Sequence, residues 1–236
     1  MKKKQRKTVL GSPRIEVPEA AVGFQNRLKP RTINQKEYIR TVAENTVTFC
    51  EGVAGSGKTH IAIGMALEYL IDFKVKKIII TRPVVEAGER LGFLPGTAEE
   101  KLHPYLLPII DEIHHFIQPM HYGRLKAQRQ IEVVPLGLMR GRSFHDAFIV
   151  ADECQNASYD QLKMLLTRIG MNSKMVLTGD VGQSDLQTHL RGGLRTLTSS
   201  LQDLEGVGMV KLESSDIVRN PIIAEIIYRL DRHDQS

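Results

Sequence analysis

The sequence predicts a three-layer α/β domain on a mostly parallel sheet, and three observations lead there. Short β-branched runs alternate with helical patterns, a glycine-rich turn separates the first strand from the helix after it, and a later apolar strand ends in two carboxylates. Strands that alternate with helices pair in parallel through right-handed crossovers, which puts helices on both faces of the sheet. The strand candidates are Val47-Thr48-Phe49-Cys50, Lys77-Ile78-Ile79-Ile80-Thr81, Ile131-Glu132-Val133-Val134, Phe148-Ile149-Val150-Ala151, Met175-Val176-Leu177-Thr178 and Val207 to Leu212, so five or six strands are expected. One helix is expected over His60 to Leu70, where Ile61, Met65 and Tyr69 recur at helical spacing. A second is expected over Ser158 to Arg168, opened by Ser158 and Gln161 at capping-box spacing. A third should begin at Asn220-Pro221, with Asn as cap and Pro in the first position.

The 236 residues are 42% hydrophobic and 25% charged, which suits one folded domain of medium size with short additions. The longest stretch without Asp, Glu, Lys or Arg, Ile113 to Gly123, is too short to span a bilayer. The N-terminus is basic (Lys2, Lys3, Lys4, Arg6, Lys7), but only Val9-Leu10 precede Gly11-Ser12-Pro13, so the apolar core of a signal peptide is missing and a cytoplasmic location is expected. Cys50 and Cys154 lack a C-x-x-C partner and read as reduced thiols. Pro13, Pro18 and Pro30 and the lack of periodicity mark residues 1–30 as an extended arm leading into a single domain over 31–236. Residues 1–40 hold 11 Lys and Arg against 3 Asp and Glu, with 21 against 24 beyond. A basic arm on a near-neutral body fits contact with a phosphate backbone, and equally fits a solvated tail.

Gly52-Val53-Ala54-Gly55-Ser56-Gly57-Lys58-Thr59 matches G-x-x-x-x-G-K-[ST] in the strand-to-helix setting that the motif needs. Its glycines let successive N–H groups turn inward, and the helix N-terminus adds partial positive charge, so residues 52 to 60, through His60, form a cradle for phosphates. Lys58 is placed to reach the β- and γ-phosphates, and Thr59 to hold Mg²⁺ through its hydroxyl. Asp152 and Glu153 follow an apolar strand, at the end where parallel sheets open their ligand crevice. Asp152 is assigned to the metal, and Glu153 to the general base that activates water. In Thr178-Gly179-Asp180-Val181-Gly182-Gln183, the Gln183 amide is placed to sense the γ-phosphate or hold the water. Asp-Val-Gly-Gln is one residue short of the GTPase switch motif and no N-K-x-D guanine reader occurs, so ATP is the expected nucleotide. Gln35 is a candidate for pairing with adenine.

Taken in order, these pieces resemble the PhoH-like family of P-loop ATPases, related to superfamily 1 helicases. The resemblance covers about residues 30–231 and adds Thr81-Arg82-Pro83, Gly88, Leu91-Gly92-Phe93-Leu94-Pro95-Gly96, Met139-Arg140-Gly141-Arg142-Ser143-Phe144, Asp152-Glu153-Cys154-Gln155-Asn156 and Asp216-Ile217-Val218-Arg219-Asn220-Pro221. It implies a RecA-like P-loop NTPase fold, ATP binding and hydrolysis, and action on RNA or single-stranded nucleic acid. Cys154 stands where the family usually has Ala, and Asn220 where His is commoner; both are conservative in size. No appended nuclease or KH-like segment is seen, so a minimal ATPase core is expected.

Arg219 carries the last of these motifs and is expected to act as an arginine finger, in its own site or a neighbour's. Action on a neighbour requires a closed head-to-tail ring, the preferred expectation. From Ile113 to His145 the one acidic residue is Glu132, against Arg124, Lys126, Arg129, Arg140 and Arg142. With Arg82, Arg140 and Arg142 are the candidates for a nucleic-acid backbone, and Phe144 or Tyr122 for stacking on bases. Adjacent His114 and His115 point apart on a helix and are not expected to bind metal. A nucleotide-dependent switch, a protein-remodelling ATPase and a small-molecule kinase stay open as alternatives.

Overall fold

Runs of isoleucine and valine too apolar for a solvated face become the middle of a sheet. In the computed structural model, which describes residues 23–83, 98–186, 191–218 and 222, the six predicted strand runs form β1 (Val47–Gly52), β2 (Lys77–Arg82), β3 (Ile131–Pro135), β4 (Ala147–Ala151), β5 (Lys174–Gly179) and β6 (Val207–Leu212). They lie in the order β3-β2-β4-β5-β1-β6 and every pairing is parallel. The two-residue side-chain period divides the core. Cys50, Ile78, Ile80, Phe148, Val150 and Val176 face one layer of helices, and Phe49, Ile79, Ile149, Met175 and Leu177 face the other.

The first layer contains α1 (Ile33–Glu44), α2 (Lys58–Ile71), α3 (Ala98–Phe116) and α4 (Pro119–Ala127). Helix α2 is buried over nearly its whole middle because it lies between the sheet and α3. Gly64 permits that approach: a Cβ there would sit 2.8 Å from the Phe116 ring. Helix α1 is capped by Thr32, whose side chain accepts from the Gln35 amide, and it buries Tyr38 and Val42, one turn apart. The Lys174 ammonium closes its other end by donating to the carbonyls of Val42, Ala43 and Asn45.

The second layer is α5 (Tyr159–Leu166) and α6 (Gly193–Leu201), which bury Leu162, Leu165, Leu194 and Leu197 against the sheet. The predicted capping box at Ser158 and Gln161 is present, and the helix ends two residues short of the predicted Arg168. The predicted start at Asn220-Pro221 lies outside the described residues. Of the arm expected over 1–30, residues 23–30 are described and run without helix or strand apart from one bridge, Phe24 to Ile117. The Gln25 amide donates to the Phe116 carbonyl, which docks this stretch on the end of α3.

One expectation changes. Phe144 is 1% exposed and Tyr122 8%, so neither can stack on a base: Phe144 packs with the α5 and α6 face and Tyr122 with the other. No helix among the described residues is long and apolar enough to cross a membrane.

Candidate nucleotide site

The strand order brings the carboxyl ends of β1, β5, β4 and β2 side by side, so the loops leaving them share one edge of the sheet. The loop after β1 turns through Gly55 and Gly57, with φ of 82° and 94°. That left-handed backbone is open to glycine at little steric cost and strained for other residues. Helix α2 starts on Gly57 without a side-chain cap, and the amides of Lys58, Thr59 and His60 have no acceptor among the described residues. A helix N-terminus with unmatched N–H groups attracts anions. The Lys58 ammonium bends back over the loop and donates to the carbonyls of Gly52 at 2.6 Å and Val53 at 2.9 Å, which holds a positive charge at the mouth of the cradle.

Thr59 and Asp152, far apart in sequence, meet here: the Thr59 hydroxyl donates to Asp152 Oδ1 at 2.7 Å. Thr178, at the end of the intervening β5, donates to the same oxygen at 2.7 Å. Asp152 is 4% exposed, and a buried carboxylate needs such partners. A hydroxyl and a carboxylate in contact at the rim of a phosphate cradle are hard oxygen donors of the kind that magnesium takes, so these residues fit that ion. Glu153 follows in the left-handed region at φ 55°, a strained conformation for a residue with a Cβ. That turn carries the chain away from the strand and brings the carboxylate beside Arg82 and Gln155.

A model of the PhoH-like protein family matches residues 27–231. The chain belongs to the PhoH-like family. It is 46% identical over 208 residues to a PhoH-like protein of Mycobacterium tuberculosis, covering 88% of this chain and 59% of that one. It is 43% identical over 219 residues to a PhoH-like protein of Bacillus subtilis, covering 93% and 68%. The chain therefore spans about three fifths of the mycobacterial relative's length. Among solved structures, the large terminase of a thermophilic bacteriophage is similar in fold, with a TM-score of 0.54 at 10% identity over 85% of this chain and 50% of that one. The RecA-like P-loop fold expected from sequence is the fold of this PhoH-like chain.

The sequence candidates do not all meet at the crevice. Gly52 to Thr59, with Asp152 and Glu153, stand together at the crevice, while His60 offers only its amide there: its ring turns to Glu112 on α3 at 2.6 Å and rests on Phe116. Gln35 is 5% exposed, and its amide is engaged: Oε1 accepts from the Arg31 amide at 2.8 Å, and Nε2 donates to the Ser56 carbonyl at 3.0 Å. Gln35 thus braces the phosphate loop from below Gly57, and pairing with a base would require it to exchange these bonds. Gln183 is exposed on the loop after β5, Arg140 is exposed after β3, and Arg219 lies outside the described residues. Arg142 is held by Glu132 at 2.6 Å and lies over the Phe144 ring.

Three participants escaped the sequence reading as site residues. Gln155 is buried and bridges two strand ends, donating to Glu153 and accepting from the Asp180 amide at 3.0 Å. Thr178 secures the Asp152 carboxylate. Asp216, 1% exposed, accepts from Thr32, Asn34 and the Glu213 amide, and so ties the segment after β6 to the start of α1. Gln155, Thr178 and Asp216 lie inside the motifs quoted above, but their partners are visible only once the strand order is known.

Proposed function

We propose that this chain is a nucleic-acid-dependent ATPase core that hydrolyses ATP at the cradle and acts on single-stranded RNA or DNA. The observation that carries the reading is the Thr59 to Asp152 contact at 2.7 Å, with Glu153 next in the chain, at the mouth of a loop built for phosphates. Thr59 and Asp152 would hold magnesium, which when bound would supply positive charge to offset that developing on the phosphates. The amides of residues 58 to 60 and the Lys58 ammonium bind and orient the phosphate chain. Glu153 takes the proton of the attacking water, and Gln183 orients that water or the terminal phosphate. Arg219 supplies positive charge to the transition state, from its own site or from a neighbour in a homo-oligomeric ring.

The basic arm, Arg82, Arg140 and Arg142 supply the cationic track for the polymer. The reading assigns the protein to the cytoplasm and treats residues 31–236 as one ATPase domain with an N-terminal arm.

Steady-state ATP turnover by the purified protein, with and without single-stranded RNA and DNA, tests this, with Lys58→Ala as control. The reading predicts lysine-dependent turnover raised by at least one polymer. Lysine-dependent turnover indifferent to both polymers favours a nucleotide switch or a protein-remodelling ATPase.

A further inference from the structure

Arg82 ends β2 at the carboxyl edge of the sheet, where Thr81 faces Ala151 and the Asp152 amide donates to the Thr81 carbonyl at 2.9 Å. That register sets the Arg82 side chain against the segment that leaves β4. Its guanidinium Nη2 lies 3.7 Å from Glu153 Oε1, and the two side chains are 25% and 35% exposed. The other oxygen, Glu153 Oε2, accepts a short hydrogen bond from Gln155 Nε2. Gln155 is buried and itself fixed, because its Oε1 accepts from the Asp180 amide.

Both oxygens of Glu153 are therefore engaged, by partners of different kinds. The Gln155 bond is short and its side chain is anchored to the Asp180 amide just past β5, whereas the Arg82 contact is longer than a hydrogen bond and partly exposed. Solvent-exposed ion pairs of that length are weak. A guanidinium fork binds two oxygens at once, and Glu153 offers Arg82 only Oε1 because Gln155 occupies Oε2, so a phosphodiester with two free oxygens is the better partner.

We propose that Arg82 is a positioning residue that restrains Glu153 until a phosphate of a bound polynucleotide strand takes over its guanidinium. This rests on the reading of Glu153 as the general base and adds what holds the base back. With Arg82 drawn to a phosphodiester, Oε1 is released while Gln155 keeps the carboxylate in place through Oε2. A water proton then passes to Oε1, the water oxygen bonds to the γ-phosphorus, and the bond from that phosphorus to the bridging oxygen breaks, leaving ADP and phosphate. Polymer binding and hydrolysis are thereby coupled through one side chain.

The test compares ATP turnover by the wild-type full chain, Arg82→Ala, Arg82→Gln and Arg82→Lys, without polymer and with single-stranded poly(U) or poly(dT). The two neutral variants should show a several-fold higher kcat without polymer, an unchanged KM for ATP and little further stimulation. Arg82→Lys, which keeps the charge, should restore the low basal kcat, a rescue that a merely structural role does not predict. Circular dichroism identifies a variant that has lost its fold, and the neutral pair provides a second variant if one does. A basal kcat at or below wild type in both folded neutral variants overturns the restraint, whether or not wild type responds to polymer. Wild-type turnover unmoved by either polymer overturns the polynucleotide trigger and the functional reading, while a raised basal kcat in that case still supports the restraint itself.

Discussion

Removing the Asp216 carboxylate should loosen the attachment of α1 and, through Gln35, the phosphate loop. Asp216 accepts from the Thr32 hydroxyl at 2.5 Å, Asn34 Nδ2 at 2.9 Å and the Glu213 amide at 2.7 Å, and its own carbonyl lies 3.5 Å from Gln35 Nε2. Hydrogen bonds to a charged group are worth about 1.5–3 kcal/mol each. Thr32 and Asn34 are only half-buried, so water repairs part of the loss. Asp216→Ala should therefore cost about 3 kcal/mol, which for a chain of this size lowers Tm by roughly 6–12 °C. Burial alone would push the carboxyl up, but the hydrogen bonds from Thr32, Asn34 and the Glu213 amide outweigh it and hold the group below the usual carboxylate range. A depressed folded-state value means that the contribution is complete above the unfolded pKa and is lost as pH falls through the folded one. Urea unfolding followed by circular dichroism should show the full gap between wild type and Asp216→Ala at pH 7, narrowing below about pH 4. A gap under about 0.5 kcal/mol at pH 7, within the scatter of surface substitutions, or one that stays constant into acid, would refute the reasoning.

Glu153→Gln should lower ATP turnover by about 10²- to 10⁴-fold, the usual contribution of a general base, while nucleotide affinity changes little; equal losses of both would show that Glu153 serves binding. Gly193→Ala would put a Cβ 2.5 Å from the Tyr159 amide nitrogen, forcing α6 away from α5. Overpacking of this kind costs about 1–3 kcal/mol, so thermal melting should fall by several degrees, and an unchanged or raised Tm contradicts it. Burial raises both thiols, Cys50 to about 12, with each 1% exposed. Iodoacetamide at pH 7.5 should therefore label neither until the protein is unfolded, and rapid native labelling of either would count against the packing described.

The strands were legible because their β-branched runs are short, apolar and well separated. Helix α2 was legible from its spacing, and α5 from its cap. Helix α1 was not, because its apolar residues are few and Ile33 among them faces solvent, and its register is set by Thr32 and Asp216. Helix α3 contains Pro104 and Pro108, which argue locally against a helix; burial of Ile109, Ile113 and Phe116 against α2 overrides them. Helix α6 opens on two glycines and is rich in Ser and Thr, so its Leu194 and Leu197 stripe gave little warning. The phosphate loop and the Asp152-Glu153 pair are local motifs, readable without a fold. The links from Gln155 to Asp180, Arg82 to Glu153 and Asp216 to Thr32 depend on which strands and loops are neighbours, and short-range pattern does not encode that.

The most direct test of the account is whether Thr59 and Asp152 seat a magnesium ion with the nucleotide. Calorimetric titration of a non-hydrolysable ATP analogue, with magnesium and with EDTA, should show tighter binding with the metal for wild type. Asp152→Ala and Thr59→Ala should lose most of that difference while keeping metal-independent binding to the loop. Wild-type affinity indifferent to magnesium, or a full magnesium effect retained in Asp152→Ala, would contradict the account.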